Sequence, residues 1–214
     1  MDYQFLELER RGDIAIMRLN RPDKRNALST QLREEIVRCL DALEGDESIK
    51  VVVLTGKGPS FCAGFDLKEF ASGNMDEILA QARAYHHKVY TFMKPIVASI
   101  NGPALAGGMD LAAMCDLRIS SREAQFGQPQ VRMGIPAAYD LIRTVLPEMK
   151  ARELCLTGRV MLADEALSAG FVCKVVPAEN LMDEAMKMAR EIAESKGSGA
   201  TKAQFIKEQP RLFE

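Results

Sequence analysis

The chain has 214 residues, 47% of them apolar and 27% charged, with a formal net charge of -2. That length and apolar share suit one globular domain with a sizeable core, and the charge balance excludes the broad basic face that a nucleic-acid partner needs. No apolar run reaches the roughly eighteen residues of a membrane span, and Met1-Asp2-Tyr3-Gln4 lacks the apolar core of a signal peptide, so the expectation is a cytoplasmic protein without membrane or nucleic-acid partners.

Phe5 to Glu9 and Ile14 to Leu19 flank Arg11-Gly12-Asp13 and predict a hairpin of half-buried strands. Arg21-Pro22-Asp23 breaks that pattern. Ser29 then caps a predicted helix whose apolar positions Leu32, Ile36, Val37, Leu40 and Leu43 share one face. Val51 to Leu54 is short, β-branched and unbroken, as a fully buried strand should be. The alternation continues with a helix near Met75 to Phe92, a strand at Ile96 to Ile100, a short helix after Gly107-Gly108 and a strand at Leu117 to Ser120. A helix around Met149 to Leu156, a strand at Val172 to Val176 and an amphipathic helix through Leu181, Ala185, Met188 and Ile192 follow. Alternating strands and helices predict an α/β fold over residues 1–194. Ser195-Lys196-Gly197-Ser198-Gly199 reads as a flexible break, leaving 195–214 as a short polar tail.

The five cysteines, Cys39, Cys62, Cys115, Cys155 and Cys173, are odd in number, widely spaced and set in apolar runs, which predicts reduced core thiols. None sits at C-x-x-C spacing. With His86 and His87 as the only histidines, a metal site has almost no candidate ligands, and both are expected to be partly exposed helix residues.

Two glycine-containing turns, each between a buried strand and a helix, carry the chemistry. The first runs from Ser60 to Leu67, and its Asp66 and Glu69 are spaced as a capping box. The second runs from Asn101 to Asp110. Backbone N–H groups at a helix start lack partners within the helix, so each turn can offer a donor to an anionic oxygen, and two converging donors would form an oxyanion hole. Asp110, in the first turn of its helix, is a candidate general acid or base. Gly56-Lys57-Gly58 fails as a phosphate loop, and no G-x-S-x-G elbow exists.

The order R-P-x-x-R-N-A-L (Arg21 to Leu28), F-C-A-G-F-D-L (Phe61 to Leu67), N-G-P-A-L-A-G-G-M-D-L (Asn101 to Leu111), C-D-L-R (Cys115 to Arg118) and A-Q-F-G-Q-P (Ala124 to Pro129) closely resembles the crotonase, or enoyl-CoA hydratase/isomerase, superfamily. The resemblance runs from about Phe5 to Met188. It implies a spiral of repeated ββα units, in this chain with a shortened C-terminal helical tail, a homotrimer or dimer of trimers, and an acyl-coenzyme A substrate whose coenzyme A is part of the substrate, with no separate cofactor and no metal. By motif position, the oxyanion donors would be the N–H groups of Phe65 and Gly107. Ala27, Ala63, Asp66 and Leu67 would line the coenzyme path, and Lys24 and Arg25 would stand near its phosphates.

Hydratases of this family use two glutamates, and the matching positions here hold Asp110 and Gln130. An amide does not exchange a proton near neutral pH as a carboxylate does, so two-carboxylate hydration is hard to draw. The expectation is enolate stabilisation with single-base chemistry, such as a double-bond shift. Decarboxylation, thioester hydrolysis and silent acyl-CoA binding remain as alternatives. Asp140, after Met133-Gly134-Ile135-Pro136, is a second candidate base. Typical members also continue for some forty residues beyond the last matched segment. The expectation for this chain is a more open pocket, a pocket covered by a neighbouring subunit, or rearranged trimer contacts.

Overall fold

The computed structural model describes residues 2–72 and 75–213. Strands β1 (Leu6–Arg11) and β2 (Ile14–Leu19) form the expected antiparallel hairpin, with Gly12 at φ 64° in the turn, a left-handed backbone that glycine adopts without strain. Helix α1 (Thr30–Glu44) begins at Ser29, whose hydroxyl accepts from Leu32 N at 3.3 Å, and it buries Leu32, Ile36, Cys39, Leu40 and Leu43. Then come β3 (Val51–Gly56), α2 (Leu67–Ser72), α3 (Met75–Tyr90), β4 (Ile96–Ile100), β5 (Ala104–Leu105), α4 (Gly107–Ala113), β6 (Leu117–Ser121) and β7 (Gln125–Gly127). After them lie α5 (Tyr139–Val145), α6 (Glu148–Thr157), β8 (Val160–Leu162), α7 (Ala163–Ser168), β9 (Lys174–Val176), α8 (Leu181–Glu194) and α9 (Ser198–Glu208).

Strands β2, β3, β4, β6 and β9 run parallel, with β1 antiparallel at the edge. One face packs Ile14, Ile16, Val51, Val53 and Val97 against Ala185, Met186 and Ala189 of α8, and the other joins the larger core with α1. Cover on both faces explains why β3 reads as a continuous apolar run through Leu54 and why every residue of β4 is buried. A second sheet, β5-β7-β8, was not anticipated, because strands of two or three residues are too short to carry a period. It explains the spiral. After β3 the chain steps to Cys62, after β4 to β5 and after β6 to β7, and Cys62 bridges Ala104, which pairs with Phe126. Each coil therefore gives one strand to each sheet before the chain turns away, which is the expected α/β spiral of repeated units.

The expected shortened helical tail is found, whereas the flexible break expected from residue 195 is corrected by the structure. Residues 198–208 form α9, fixed by the buried Lys202, which pairs with Asp116 at 2.8 Å. The other Asp116 oxygen accepts from Ile96 N at 2.8 Å, so this helix is tied to the start of β4. The Gly/Ser composition that suggested a break instead supplies the turn into α9. Four cysteines are buried as core thiols should be, whereas Cys173 is exposed. Among the described residues no helix is long and apolar enough to cross a membrane.

Candidate active site

The two glycine turns meet. Leu28 N donates to Gly64 O at 2.8 Å and Leu28 O accepts from Asp66 N at 3.3 Å, so Leu28 bridges Phe65 in parallel fashion. In such a bridge the N–H and C=O of Phe65 face away from Leu28. They face the second turn: a β-carbon on Gly64 would stand 3.1 Å from Gly107 N, and one on Gly107 would stand 3.5 Å from Phe65 N. Gly107 is the first residue of α4, so its N–H has no acceptor within the helix. Ala106 just before it is held at φ 51° and ψ -127°, a strained backbone for a residue with a side chain and of a kind that clusters at functional sites.

Asp110 lies one turn into α4 and is only 6% exposed. Burial pushes its carboxyl up to about 7, against the hydrogen bond that Gln128 Nε2 donates to Oδ1 at 2.8 Å. Gln128 Oε1 in turn accepts from Gln130 Nε2 at 2.6 Å, and Gln130 Oε1 is buried without a partner among the described residues. Two amides thus form a relay ending on one carboxylate. The sequence reading passed over Gln128, although a carboxylate at a buried helix start calls for a donor, and the A-Q-F-G-Q-P segment holds one.

A cavity of about 820 Å³ opens onto these groups, with Phe65, Gly107, Asp110 and Gln130 in its wall. Lys24, Arg25, Ala27, Ala63, Asp66 and Leu67 also line it, so ten of the predicted site residues share one cavity. Lys24 and Arg25 are exposed, and Lys68 and Arg83 add two cations that were not anticipated. Asp66 is ion-paired with Arg21 at 3.1 Å. The expected capping box forms only in part: Asp66 Oδ1 accepts from Lys68 N at 3.2 Å, but the Glu69 carboxylate turns to Thr30 instead of back to Asp66 N.

Asp140 is the correction among the predicted site residues. It does not line the cavity, its side chain is 76% exposed, and it stands 3.7 Å from Arg143 at the start of α5. His86 and His87 are helix residues as expected, one half-buried and one exposed, but His86 also lines the cavity, with Nε2 buried and unpartnered among the described residues. Burial, helped by the nearby Arg33 charge, pushes its imidazole down to about 4, so it is neutral at physiological pH. Phe213 stacks on the His86 ring at 5.1 Å and meets Tyr90 edge-on at 5.4 Å. With Leu212 it adds wall to the cavity from the end of this chain.

The sequence profile of the enoyl-CoA hydratase/isomerase family matches residues 9–209. A Thermus thermophilus protein described provisionally as an enoyl-CoA hydratase is 40% identical over 195 residues, 86% of this chain and 76% of that protein. A crotonyl-CoA hydratase of Syntrophomonas wolfei is 36% identical over 210 residues, 94% and 80% of the two chains. Among solved structures, an enoyl-CoA hydratase of Bacillus anthracis superposes with a TM-score of 0.91 at 31% identity, covering 96% of this chain and 83% of that one.

Proposed function

The chain belongs to the enoyl-CoA hydratase/isomerase family, and from that premise we propose that it shifts a double bond in an acyl-coenzyme A thioester. Asp110 takes a proton from the carbon next to the thioester carbonyl of a β,γ-enoyl substrate. The electron pair moves into the carbonyl, whose oxygen is held by the N–H groups of Phe65 and Gly107. Return of the proton to the γ-carbon gives the α,β-enoyl product and restores the base. Coenzyme A enters as part of the substrate, and no resident cofactor is needed. Homotrimeric assembly belongs to the same proposal, and the exposed Met149, Leu156 and Leu162 support it.

The observation that carries this reading is the one buried carboxylate in the cavity wall, Asp110, with its pKa raised to about 7, beside an amide relay where a two-carboxylate hydratase needs a second acid or base. A panel of β,γ-enoyl, α,β-enoyl, malonyl-type and β-keto thioesters tests it, with conversion expected for the β,γ-enoyl member. Carbon dioxide release from the malonyl-type member alone would make it a decarboxylase, and release of free coenzyme A a hydrolase. Binding of all with turnover of none would make it a silent binder.

Gln130→Glu is expected to gain detectable hydration of a short enoyl-CoA. A carboxylate at 130 would face Gln128 Oε1, so the Gln128 amide turns its Nε2 toward residue 130 and presents an acceptor to Asp110. That favours protonated Asp110 beside an ionised Glu, one acid and one base near neutral pH. Adding Asp110→Glu is expected to raise the rate further. Folded variants with no hydration above wild type would mean that the cavity differs from a hydratase in shape as well as in charge.

Reversing Lys24 and Arg25 together to glutamate is expected to weaken coenzyme A binding, more at low salt than at high, because exposed charges are screened. Calorimetry showing the same affinity as wild type at both salts would remove these two residues from the nucleotide end.

A further inference from the structure

Helix α1 buries two charged residues, Glu35, whose carboxylate accepts from Gln4 N and Phe5 N, and Arg33. Arg33 is 1% exposed. Its Nη1 donates to Leu28 O at 2.7 Å and its Nη2 to Thr30 Oγ1 at 3.0 Å, while Nε is buried without a partner among the described residues. Glu69 Oε2 lies 3.9 Å away and also accepts from Thr30 N at 2.7 Å. Burial lowers the Arg33 pKa and Glu69 opposes that shift, but a guanidinium stays charged in proteins. A buried charge with one donor orphaned is a poor stabiliser compared with an apolar side chain of similar volume. Stability alone therefore does not account for it.

Its contacts do. Leu28 O, which takes the Nη1 hydrogen bond, is the same oxygen that holds Asp66 N and so fixes the bridge to Phe65. The guanidinium also lies 5.0 Å from the centroid of the Phe65 ring. That ring abuts the second turn, since a β-carbon on Gly107 would stand 2.7 Å from Phe65 Cδ2. Arg33 thus grips the first turn by its backbone partner and by its side chain, with its positive charge over the ring that abuts the second turn. We propose that Arg33 is a positioning residue for the oxyanion hole, aligning the Phe65 and Gly107 amides and adding its field to theirs. The inference rests on those two amides being the oxyanion donors.

The test is the carbonyl stretch of butyryl-CoA, carbon-13 labelled at the thioester carbonyl, read by infrared difference on the wild-type protein and its variants, with kinetics on the thioester that the wild type converts. In the wild type the bound carbonyl is expected to move to lower frequency than in water. Arg33→Met, which keeps volume and loses charge, is expected to lose most of that shift and about 10²-fold in kcat, with KM changing far less. Arg33→Lys keeps a charge but cannot fork to Leu28 O and Thr30 Oγ1 together, so intermediate losses are expected. If Arg33→Met does not fold, Thr30→Val and Glu69→Gln loosen the same network from outside and are expected to give smaller losses in the same direction. A wild-type carbonyl that does not move on binding takes down the oxyanion reading and this inference with it. A wild-type shift retained in full by folded Arg33→Met, or by both milder variants, overturns the inference alone, as does an equal loss of binding and turnover.

Discussion

Asp110→Asn is expected to lower kcat by about 10²- to 10⁴-fold, the span typical of losing a general base, with a much smaller change in ligand affinity. The wild-type kcat/KM is expected to rise with pH through about 7, because the proton-accepting form of Asp110 is the ionised one. Stability should run the other way. The folded-state pKa of about 7 lies above the ordinary 3.8, so the folded chain keeps a proton that the unfolded chain has already lost. The stabilising contribution is full below 3.8 and is lost as pH rises through about 7. Above that, the buried charge costs on the order of a few kcal/mol, a penalty that asparagine does not carry. At pH 8 the variant is therefore expected to melt at or above the wild-type temperature while it is nearly inactive. Unchanged kcat, or affinity lost as severely as turnover, would return Asp110 to a structural role.

Gly107→Pro is expected to cost at least about 10² in kcat, the loss typical of deleting one oxyanion donor. Proline removes the N–H, but it also brings a β-carbon to a place 2.7 Å from the Phe65 ring and constrains Ala106, whose ψ of -127° is far from what a residue before proline prefers. Gly107→Ala is the paired control, since it brings the same β-carbon and keeps the N–H. The donor's share is the excess loss in the proline variant. Equal activities in the two variants, both folded, would place the hole elsewhere.

Much of this molecule was legible in its sequence, because the signals were local. Ser29 announced its helix, and the unbroken apolar run of Val51 to Leu54 announced a strand buried on both faces. What stayed hidden depends on contacts between distant segments. Gln128 matters because β7 leads it to Asp110, and Arg33 because Leu28 and Phe65 fold over it. Arg33 shows no local motif, and Gln128, though inside the A-Q-F-G-Q-P segment, shows no local sign that its amide meets Asp110. Asp140 misled for the opposite reason: a carboxylate near a glycine-containing turn looks catalytic until its exposure and its Arg143 partner are seen. The expected break misled by composition, since Gly and Ser mark helix starts as well as breaks, and Phe213 could be placed on His86 only by the fold.

The cavity wall draws on Asp23, Lys24, Arg25 and Ala27 and on Leu212 and Phe213, nearly the full length of the sequence apart. Segments so distant pay the largest loop-closure entropy before their contacts reward them. A ligand that needs the whole wall binds the folded chain and not the unfolded one, so saturating substrate is expected to raise the melting temperature. For this chain, substrate would act as a brace that ties the two ends of the sequence together.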